Sequence, residues 1–293
     1  VTLDDIVITA TRTATPIWRS PVAISMLSRT EIERRPVASV ADFVRDLPGV
    51  FVTDNTLPGM QRLRIRGEDA RRSLVLIDGQ EISDHSTYGP PLLIDPSFIE
   101  RIEVVRGPHS TLYGSRAEGG VINIITRQGD AENPMRYVSL GYNGATHGTR
   151  FGLGASGGAG EFDWIVAGSS SRDGERRTPE GLLPDTRTEA DGVMARLGWQ
   201  RESHRIVLLL DHHDMWSEAS TPARLLDGVV ISKFQLDLPK RVRDKVGLAY
   251  DGHEFSEKLR QIHVDAFWQG IEREITQEVG GLLFPPTRPP TFY

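Results

Sequence analysis

The chain has 293 residues, enough for one or two domains with a substantial core, and it contains no cysteine, which excludes disulfides, thiolate zinc sites and cysteine nucleophiles. Its formal net charge of -6 comes from interleaved acidic and basic residues, which argues against a nucleic-acid partner. Its 29 glycines and its 38% of hydrophobic residues favour many short strands and turns over a helical bundle.

The N-terminus carries a short run that favours an extended conformation. The run consists of Asp5, Ile6, Val7, Ile8, Thr9 and Ala10, and a segment rich in Thr, Arg and Pro follows it. A terminal run of this kind predicts either a mobile tail or a strand of a nearby sheet. Because the chain opens without a basic and then apolar leader, we expect any export signal to have been removed.

Residues 21–127 have the mixed pattern of a small α/β domain. Ser28 with Glu31, and Ser39 with Asp42, show the spacing of a capping box. This spacing predicts that one helix begins after each serine.

Strand and turn signals are interspersed with these helices. Residues 50–53 and the apolar residues 74–77 predict strands, and Asp78-Gly79 is a strong turn signal. Residues 99–127 predict two further strands around a Gly-Pro break and a Leu-Tyr-Gly turn. The adjacent Gly119-Gly120 predict a turn or a close approach of the backbone.

Beyond Pro134 the chain changes to longer strands in which apolar and polar residues alternate. The apolar faces of about seven such segments carry Val138, Leu140, Tyr142, Phe151, Leu153, Phe162, Trp164, Val166, Val193, Leu197, Trp199, Ile206, Leu208, Leu210, Val246, Leu248, Tyr250, Ile262, Val264 and Trp268. Such alternation, with aromatic residues near strand ends, is typical of a transmembrane barrel.

The connections between these segments differ in length. Short turns are predicted after residues 157, 201 and 251, and long polar loops at 172–190 and 215–241. Two proline pairs near the C-terminus predict that no ladder strand follows them. A soluble β-sandwich with two long loops is the alternative, and it would not require detergent.

Two patterns imitate functional sites. Residues 152–157 match the dinucleotide fingerprint G-x-G-x-x-G, but an alternating strand follows instead of a helix, so we predict a tight turn with small inward-facing residues. His212 and His213, flanked by Asp211 and Asp214, suggest a metal site. Because neighbours in a strand face opposite ways, we expect a solvated strand end instead. No H-E-x-x-H or G-x-S-x-G motif is present, so no enzyme is predicted.

Five ordered blocks precede residues 99–127. They are PVAI at 21–24, a helix-like segment at 39–46, LPGV at 47–50, RIRG at 64–67 and LIDG at 76–79. With IERIEVVRGPHSTLYGSRAEGGVINIITR at 99–127, the series resembles the plug of TonB-dependent receptors. The resemblance implies a membrane β-barrel with an N-terminal mixed α/β plug domain, of which this chain covers the plug and only the first barrel strands. The implied domains are a TonB box and linker at 1–18, the plug at 19–132 and a partial transmembrane β-barrel at 133–293.

The resemblance also implies roles for particular residues. Residues 5–10 resemble the TonB box, an extended segment that a partner can bind by strand addition. Arg64, Glu103 and Arg106 match positions that hold plug to barrel in this family, and enclosed charges of this kind persist only when they are paired. Ordinary exposed salt bridges are the alternative for these three.

A ligand loop is implied at residues 80–94, the family's plug apex. It presents His85 and Tyr88, which can both ligate haem iron, and haem receptors of the family place a histidine in such a loop. The resemblance therefore implies ligand binding by His85 and Tyr88, with His85 as the ligand to haem iron. A histidine present by chance is the alternative.

The implied function is TonB-dependent import of haem, or of haem from a carrier protein, across the bacterial outer membrane. A ferric siderophore is the alternative ligand within the family, and a soluble β-rich binding or adhesion protein is the alternative from another class. The implied partners are TonB with ExbB and ExbD, the transported ligand and outer-membrane lipid. No intrinsic cofactor is expected, because the proton gradient supplies the work.

Overall fold

The computed structural model describes residues 6–7, 15–20, 22–35, 39–53, 61–82, 92–219, 233–256, 258–280 and 291–292. The chain divides into two compact units. The first, here the plug unit, contains residues 1–55 and 59–127. The second, here the sheet unit, contains residues 56–58 and 128–293.

The plug unit consists of short strands and short helices. Its strands are β1 (Ile6–Val7), β2 (Thr15–Pro16), β3 (Ile24–Leu27), β4 (Val50–Thr53), β5 (Arg62–Ile65), β6 (Ser73–Ile77), β7 (Gln80–Glu81), β8 (Ile99–Arg106) and β9 (Gly120–Thr126). Its helices are α1 (Arg29–Arg34), α2 (Val40–Val44) and α3 (Ser110–Tyr113), and 3₁₀ turns cover Ile17–Arg19, Ala70–Arg72 and Pro96–Phe98.

Five of these strands form one mixed sheet in the order β3-β8-β9-β6-β7. The central pair β6 and β9 is parallel, and the other neighbours are antiparallel. Every residue of β6 and β9 is buried. A strand covered on both faces is apolar along its whole length, which explains the continuous apolar run at residues 74–77. The predicted strands at 50–53, at 74–77 and in 99–127 are confirmed.

The two predicted helix starts are confirmed. The backbone N–H of Ser28 donates to the Glu31 carboxylate at 2.9 Å, and that of Ser39 donates to Asp42 at 3.1 Å. The hydrogen bond from Ser28 holds the pKa of the Glu31 carboxyl below its ordinary value. These local bonds satisfy N–H groups that a helix start would otherwise leave without partners.

The sheet unit is an antiparallel sheet of eight strands and a separate hairpin. The sheet strands are β10 (Met135–Asn143), β11 (Gly148–Ala159), β12 (Phe162–Asp173), β15 (Thr188–Arg201), β16 (His204–Ala219), β17 (Lys233–His253), β18 (Gln261–Gly280) and β19 (Thr291–Phe292), in that order. The hairpin pairs β13 (Arg176–Thr178) with β14 (Gly181–Leu183).

One face of this sheet is apolar and exposed. Trp164, Leu197, Leu208 and Leu248 lie side by side on β12, β15, β16 and β17, and between 37% and 51% of each is exposed. The buried face carries polar residues and glycines between apolar ones. The predicted alternation is confirmed. No helix in the described ranges is both long and apolar enough to cross a membrane.

The two predicted long loops are wrong in extent. At 215–241, β16 continues to Ala219 and β17 begins at Lys233, so both strands extend into the predicted loop. At 172–190, the β13–β14 hairpin occupies part of the connection.

Bulges explain why the alternation of apolar and polar residues did not predict these strand extensions. The pairing register shifts between Met215 and Ser217 and again between Asp237 and Lys240. Pro239 lies in the second shift, where a ladder N–H is not required. A bulge reverses which side chains face the apolar side, so a strict period of two ends there.

The glycine segment at 152–157 is strand, not the predicted tight turn. All its residues lie within β11, and the turn comes later, at Gly160-Glu161. The small residues serve packing, because a Cβ on Gly154 would lie 2.4 Å from the ring of Tyr137 on β10. The segment does not open a helix, so the geometry for binding a pyrophosphate is absent from it.

The expectation that no strand follows the C-terminal prolines is also wrong. Thr291 and Phe292 form β19 and pair with Thr276 and Ile275 of β18. The strand begins only after the last proline, so no proline N–H is needed in the ladder.

Candidate functional site

The structure describes only the two ends of the predicted ligand loop. His85 and Tyr88 lie outside the described residues, so their assignment as ligand-binding residues stays a prediction. β7 and Ile82 lead into the loop, and the chain is described again from residue 92. Ile82, Leu93 and Ile94 are buried, which attaches the ends of the loop to the core.

A turn built around Asp78 holds the N-terminal end of the loop. Asp78 has a φ of 53°, a conformation that Asp tolerates better than most residues. Its carboxylate accepts hydrogen bonds from the backbone N–H and the hydroxyl of Thr126, at 2.9 and 2.7 Å. The N–H of Gly79 donates to the Asn123 side chain at 3.0 Å. The β6–β7 turn is therefore tied to the far end of β9.

A 3₁₀ turn holds the C-terminal end. The carboxylate of Asp95 accepts a hydrogen bond from the backbone N–H of Ser97 at 2.8 Å, and Pro96 begins the turn. Phe98 is only 1% exposed and anchors the turn in the core. Both ends of the loop are therefore anchored in the plug unit.

The three predicted contact residues do not form one cluster within the plug unit. Arg64 is exposed on β5. Glu103 is fully buried and pairs with Arg101 at 2.8 Å, whereas Arg106 donates to the hydroxyl of Ser25. Glu103 and Arg106 are three positions apart on β8, so they point to opposite faces. Their role in holding plug to barrel stays a prediction.

Arg66 is a neighbour of Arg106 that the sequence does not predict. The Arg66 guanidinium lies close to Gly107, the residue after Arg106. A Cβ added to Gly107 would be 3.1 Å from Nη1 of Arg66. Burial lowers the pKa of Arg106, and the positive charge of Arg66 lowers it further. Arg66 has a φ of 53°, which is uncommon for arginine. The Arg-Gly pair in RIRG was the available signal for such a turn.

The predicted TonB box is described at two residues. Ile6 and Val7 form β1, which pairs antiparallel with Pro16 and Thr15 of β2. The other residues of the box, Asp5, Ile8, Thr9 and Ala10, lie outside the described residues.

The buried face of the sheet unit carries ion pairs between strands. Asp163 pairs with Arg205 at 3.0 Å, and Asp211 pairs with Arg243. Both members of the second pair are almost completely buried, so each offsets the desolvation of the other.

The paired histidines point to opposite faces, as predicted. His212 is half exposed and lies 2.6 Å from Asp244, whereas His213 is 5% exposed on the buried face. Both lie inside β16, so the predicted strand end is wrong. Among the residues that the structure describes, no group of three or more His, Cys, Asp or Glu side chains could hold a metal ion.

The chain matches a known domain family over the plug unit. Residues 16–121 match the TonB-dependent Receptor Plug Domain. This range runs from β2 to the start of β9 and includes α1, α2, α3 and both ends of the ligand loop.

Curated relatives of the chain are named as receptors. The chain is 37% identical over 145 residues to the Ferrienterobactin receptor of Escherichia coli (strain K12), a match that covers 44% of this chain and 19% of that protein. It is 30% identical over 207 residues to the Hemin receptor of Yersinia pestis, covering 68% of this chain and 30% of that protein. The chain therefore spans less than a third of the length of these relatives.

The fold resembles that of solved transporters. The structure of the Copper transporter OprC superposes with a TM-score of 0.73 and covers 86% of this chain and 38% of that one, at 18% identity. Identity at this level concerns the fold alone.

Proposed function

Because the chain carries the plug domain and the first barrel strands of a TonB-dependent outer-membrane receptor, we propose that the receptor containing it actively imports a scarce nutrient into the periplasm. The match of residues 16–121 to the plug family carries this proposal. The relatives are named as receptors, not as enzymes or soluble adhesins. The exposed apolar face of the sheet unit suits contact with lipid.

We place the contact with TonB at residues 5–10. Ile6 and Val7 are extended in β1, the conformation to which a partner strand can add by backbone hydrogen bonds. TonB with ExbB and ExbD would transmit work from the proton gradient to the plug, so the chain itself needs no nucleotide and no catalytic residue.

The first test removes residues 4–10 from the full-length receptor. We expect ligand affinity to stay within about twofold of the wild type, because residues 4–10 are not part of the predicted ligand loop, while uptake falls to the background of a strain that lacks TonB. Binding is measured by titration and uptake by ligand-dependent growth. Uptake that survives the deletion would contradict TonB-driven import through this segment.

Haem, free or delivered by a carrier protein, is the proposed ligand. The alignment to the Yersinia pestis Hemin receptor extends over 207 residues, more than the plug unit contains. His85 offers an imidazole and Tyr88 a phenol, and both groups can ligate haem iron. We assign His85 as the iron ligand from the loop.

The haem assignment is tested with His85→Ala in the full-length receptor. We expect a shifted haem Soret band and haem affinity reduced at least about tenfold, since one iron ligand is lost. His253→Ala is the matched control and should behave as the wild type. His253 is the last residue of β17 and lies outside the ligand loop. An unchanged spectrum with haem bound would exclude His85 as a ligand.

A ferric siderophore is the second candidate. The Ferrienterobactin receptor of Escherichia coli shares a higher identity, 37%, with this chain over a shorter range. A receptor that binds ferric enterobactin but not haem in the same titration would favour this candidate.

A further inference from the structure

Two hydroxyl groups without a hydrogen-bond partner lie on the buried face of the sheet unit. Thr188 of β15 and Ser217 of β16 are directly opposite each other in the strand ladder, and they are 8% and 0% exposed. Neither Oγ1 of Thr188 nor Oγ of Ser217 makes a hydrogen bond with a residue that the structure describes. Buried hydroxyls are normally paired, because an unpaired one loses its contacts with water and gains nothing in return. Two unpaired hydroxyls side by side are therefore unusual.

An ion pair fixes the strands at this point. On the opposite face, Arg187 donates to both carboxylate oxygens of Glu218, at 2.8 and 2.6 Å. Arg187 and Glu218 are the chain neighbours of Thr188 and Ser217, so the ion pair joins the two strands next to the two hydroxyls. The hydroxyls are therefore held in position by the other face of the sheet.

The strands on either side supply no partner. Leu238 of β17 lies opposite Ser217, and its side chain is apolar. Asp173 of β12 lies opposite Thr188, but its carboxylate accepts hydrogen bonds from Asn143, Thr146 and Arg150. The polar capacity of Thr188 and Ser217 is therefore unused in the folded sheet.

A third polar atom without a partner lies on the same face of β16. His213 is buried, and its Nδ1 makes no hydrogen bond within the described part of the chain. Because side chains along a strand alternate, His213 and Ser217 share a face, and they are about 13 Å apart. On β15 the ladder places Gly192 opposite His213, so that strand offers no side chain to the ring. Thr188, His213 and Ser217 are here called the polar row.

Two arginines of β17 lie along the polar row. Arg243 is opposite His213, and Arg241 is opposite Met215, midway along the row. Both arginines are buried, and Arg243 pairs with Asp211. Hydroxyl and imidazole groups can donate hydrogen bonds to oxygen atoms, and guanidinium groups beside them favour a negative charge. The chemistry of this face therefore fits an oxygen-rich anion with carboxylate or phenolate groups.

We propose that the polar row is a transit site, which binds oxygen-rich anionic groups of the nutrient during its passage through the receptor and not while this face is buried. Ser217 is completely buried, so an occupant reaches it only after the residues that cover it have moved. An occupant that contacts both His213 and Ser217 spans about 13 Å, which fits a bulky nutrient and excludes a small ion. The inference rests on the proposed function, since import supplies the occupant.

Contacts made only during passage have a distinct kinetic signature. They are absent when the nutrient first binds, so they do not contribute to its affinity, but they lower the barrier to the later step. Removing them therefore lowers the maximal rate of import and leaves the affinity unchanged. In the resting receptor, removing an unpaired hydroxyl breaks no hydrogen bond, so the stability of the fold does not decrease.

The experiment combines Ser217→Ala with Thr188→Val in the full-length receptor. We expect the maximal uptake rate to fall about two- to tenfold, the equivalent of one lost hydrogen bond, while the Kd of the nutrient stays within about twofold. The denaturant midpoint should stay the same or rise. Haem and ferric enterobactin serve as separate probes, because haem carries carboxylates and ferric enterobactin carries phenolate oxygens. The probe whose uptake falls identifies the source of the anionic groups.

Ser170→Ala is the matched control. Ser170 lies on the opposite face of the sheet, and its hydroxyl donates to the carboxylate of Asp191. This variant loses a hydrogen bond, so its denaturant midpoint should fall while its uptake rate stays unchanged. The control and the double variant therefore have opposite effects on stability and on uptake.

A structural role for the two hydroxyls predicts another result. If ordered water alone occupies the polar row, the double variant loses stability and keeps its uptake rate, which would overturn the proposal. An affinity that falls as much as the uptake rate would also overturn it, since the hydroxyls would then belong to the site that first binds the nutrient. His213→Phe provides a second variant, with the same expected loss of uptake, if the double variant does not fold.

The failures of the two proposals are distinguishable. A wild-type receptor that imports neither probe contradicts the proposed function and, with it, the transit site. A wild-type receptor that imports a probe at the same rate as the double variant contradicts the transit site alone.

Discussion

At the scale of single residues, the double glycine of the plug illustrates how a sequence signal becomes a geometric requirement. A Cβ on Gly120 would lie 2.3 Å from the carbonyl oxygen of Val105, and Gly120 has a φ of +151°. A Cβ on Gly119 would lie 2.9 Å from that of Glu68. The predicted close approach is therefore confirmed. The neighbours that impose it come from β8 and from the turn after β5, which the local sequence does not reveal.

We predict that Gly120→Ala destabilises the plug unit by about 1–3 kcal/mol, because the new methyl group meets backbone that cannot move aside. Hydrogen exchange of β8 and β9 amides measures the change. Gly144→Ala is the control, since a Cβ there meets nothing within 4 Å, and it should change stability by less than about 0.5 kcal/mol. Equal stability of the two variants would contradict the close approach.

The partners of the charged residues, by contrast, could not be predicted from the sequence. Motif positions group Arg64, Glu103 and Arg106, yet Glu103 pairs with Arg101 and Arg106 contacts Ser25. Ser25 is 81 positions from Arg106 in the chain. Motif spacing carries no information on such partners, because strand pairing brings them together only in the folded sheet.

At the scale of elements, alternation along the strands of the sheet unit was readable because side chains in a strand take opposite faces in turn. The bulge at Pro239 interrupts that period. The alternating pattern therefore ends there, although strand β17 continues. The strands around the long connections were therefore underestimated in length, while their faces were predicted correctly.

We predict that Leu208→Lys destabilises the folded receptor in lipid by about 2–4 kcal/mol, because the ammonium group would face hydrocarbon. Leu208 lies between Leu197 and Leu248 on the exposed apolar face. Reversible denaturant unfolding in vesicles measures the effect.

Leu182→Lys is the matched control. Leu182 is 61% exposed, but it lies in the β13–β14 hairpin outside the eight-stranded sheet. Its substitution should change stability by less than about 0.5 kcal/mol. If both variants are equally stable, the exposed apolar face does not contact lipid.

At the scale of the whole molecule, the chain consists of two compact units whose stabilities can be measured separately. Tryptophan fluorescence reports mainly on the sheet unit, which contains Trp164, Trp199, Trp216 and Trp268, whereas the plug unit contains Trp18. Hydrogen exchange of α1 reports on the plug unit.

We predict that Ser28→Ala and Leu208→Lys have additive effects within about 0.5 kcal/mol, because the two sites lie in different compact units. Ser28→Ala alone should lower the stability of α1 by about 1 kcal/mol, through loss of the hydroxyl bond to Glu31, and leave the fluorescence midpoint unchanged. A coupling energy above about 1 kcal/mol would show that the units unfold cooperatively.

The sequence by itself determined the features that depend on near neighbours: the capped helix starts, the Asp78-Gly79 turn, the alternating faces and the series of blocks that resembles the plug family. Only the tertiary structure decided the strand order β3-β8-β9-β6-β7, the pairing of Ile99 with Thr126 and the contact of Arg29 with Ile99, 70 positions away. The physical reason is that caps, turns and alternation are decided within a few residues. Long-range contacts instead depend on which strands pair, and this depends on the packing of the whole sheet.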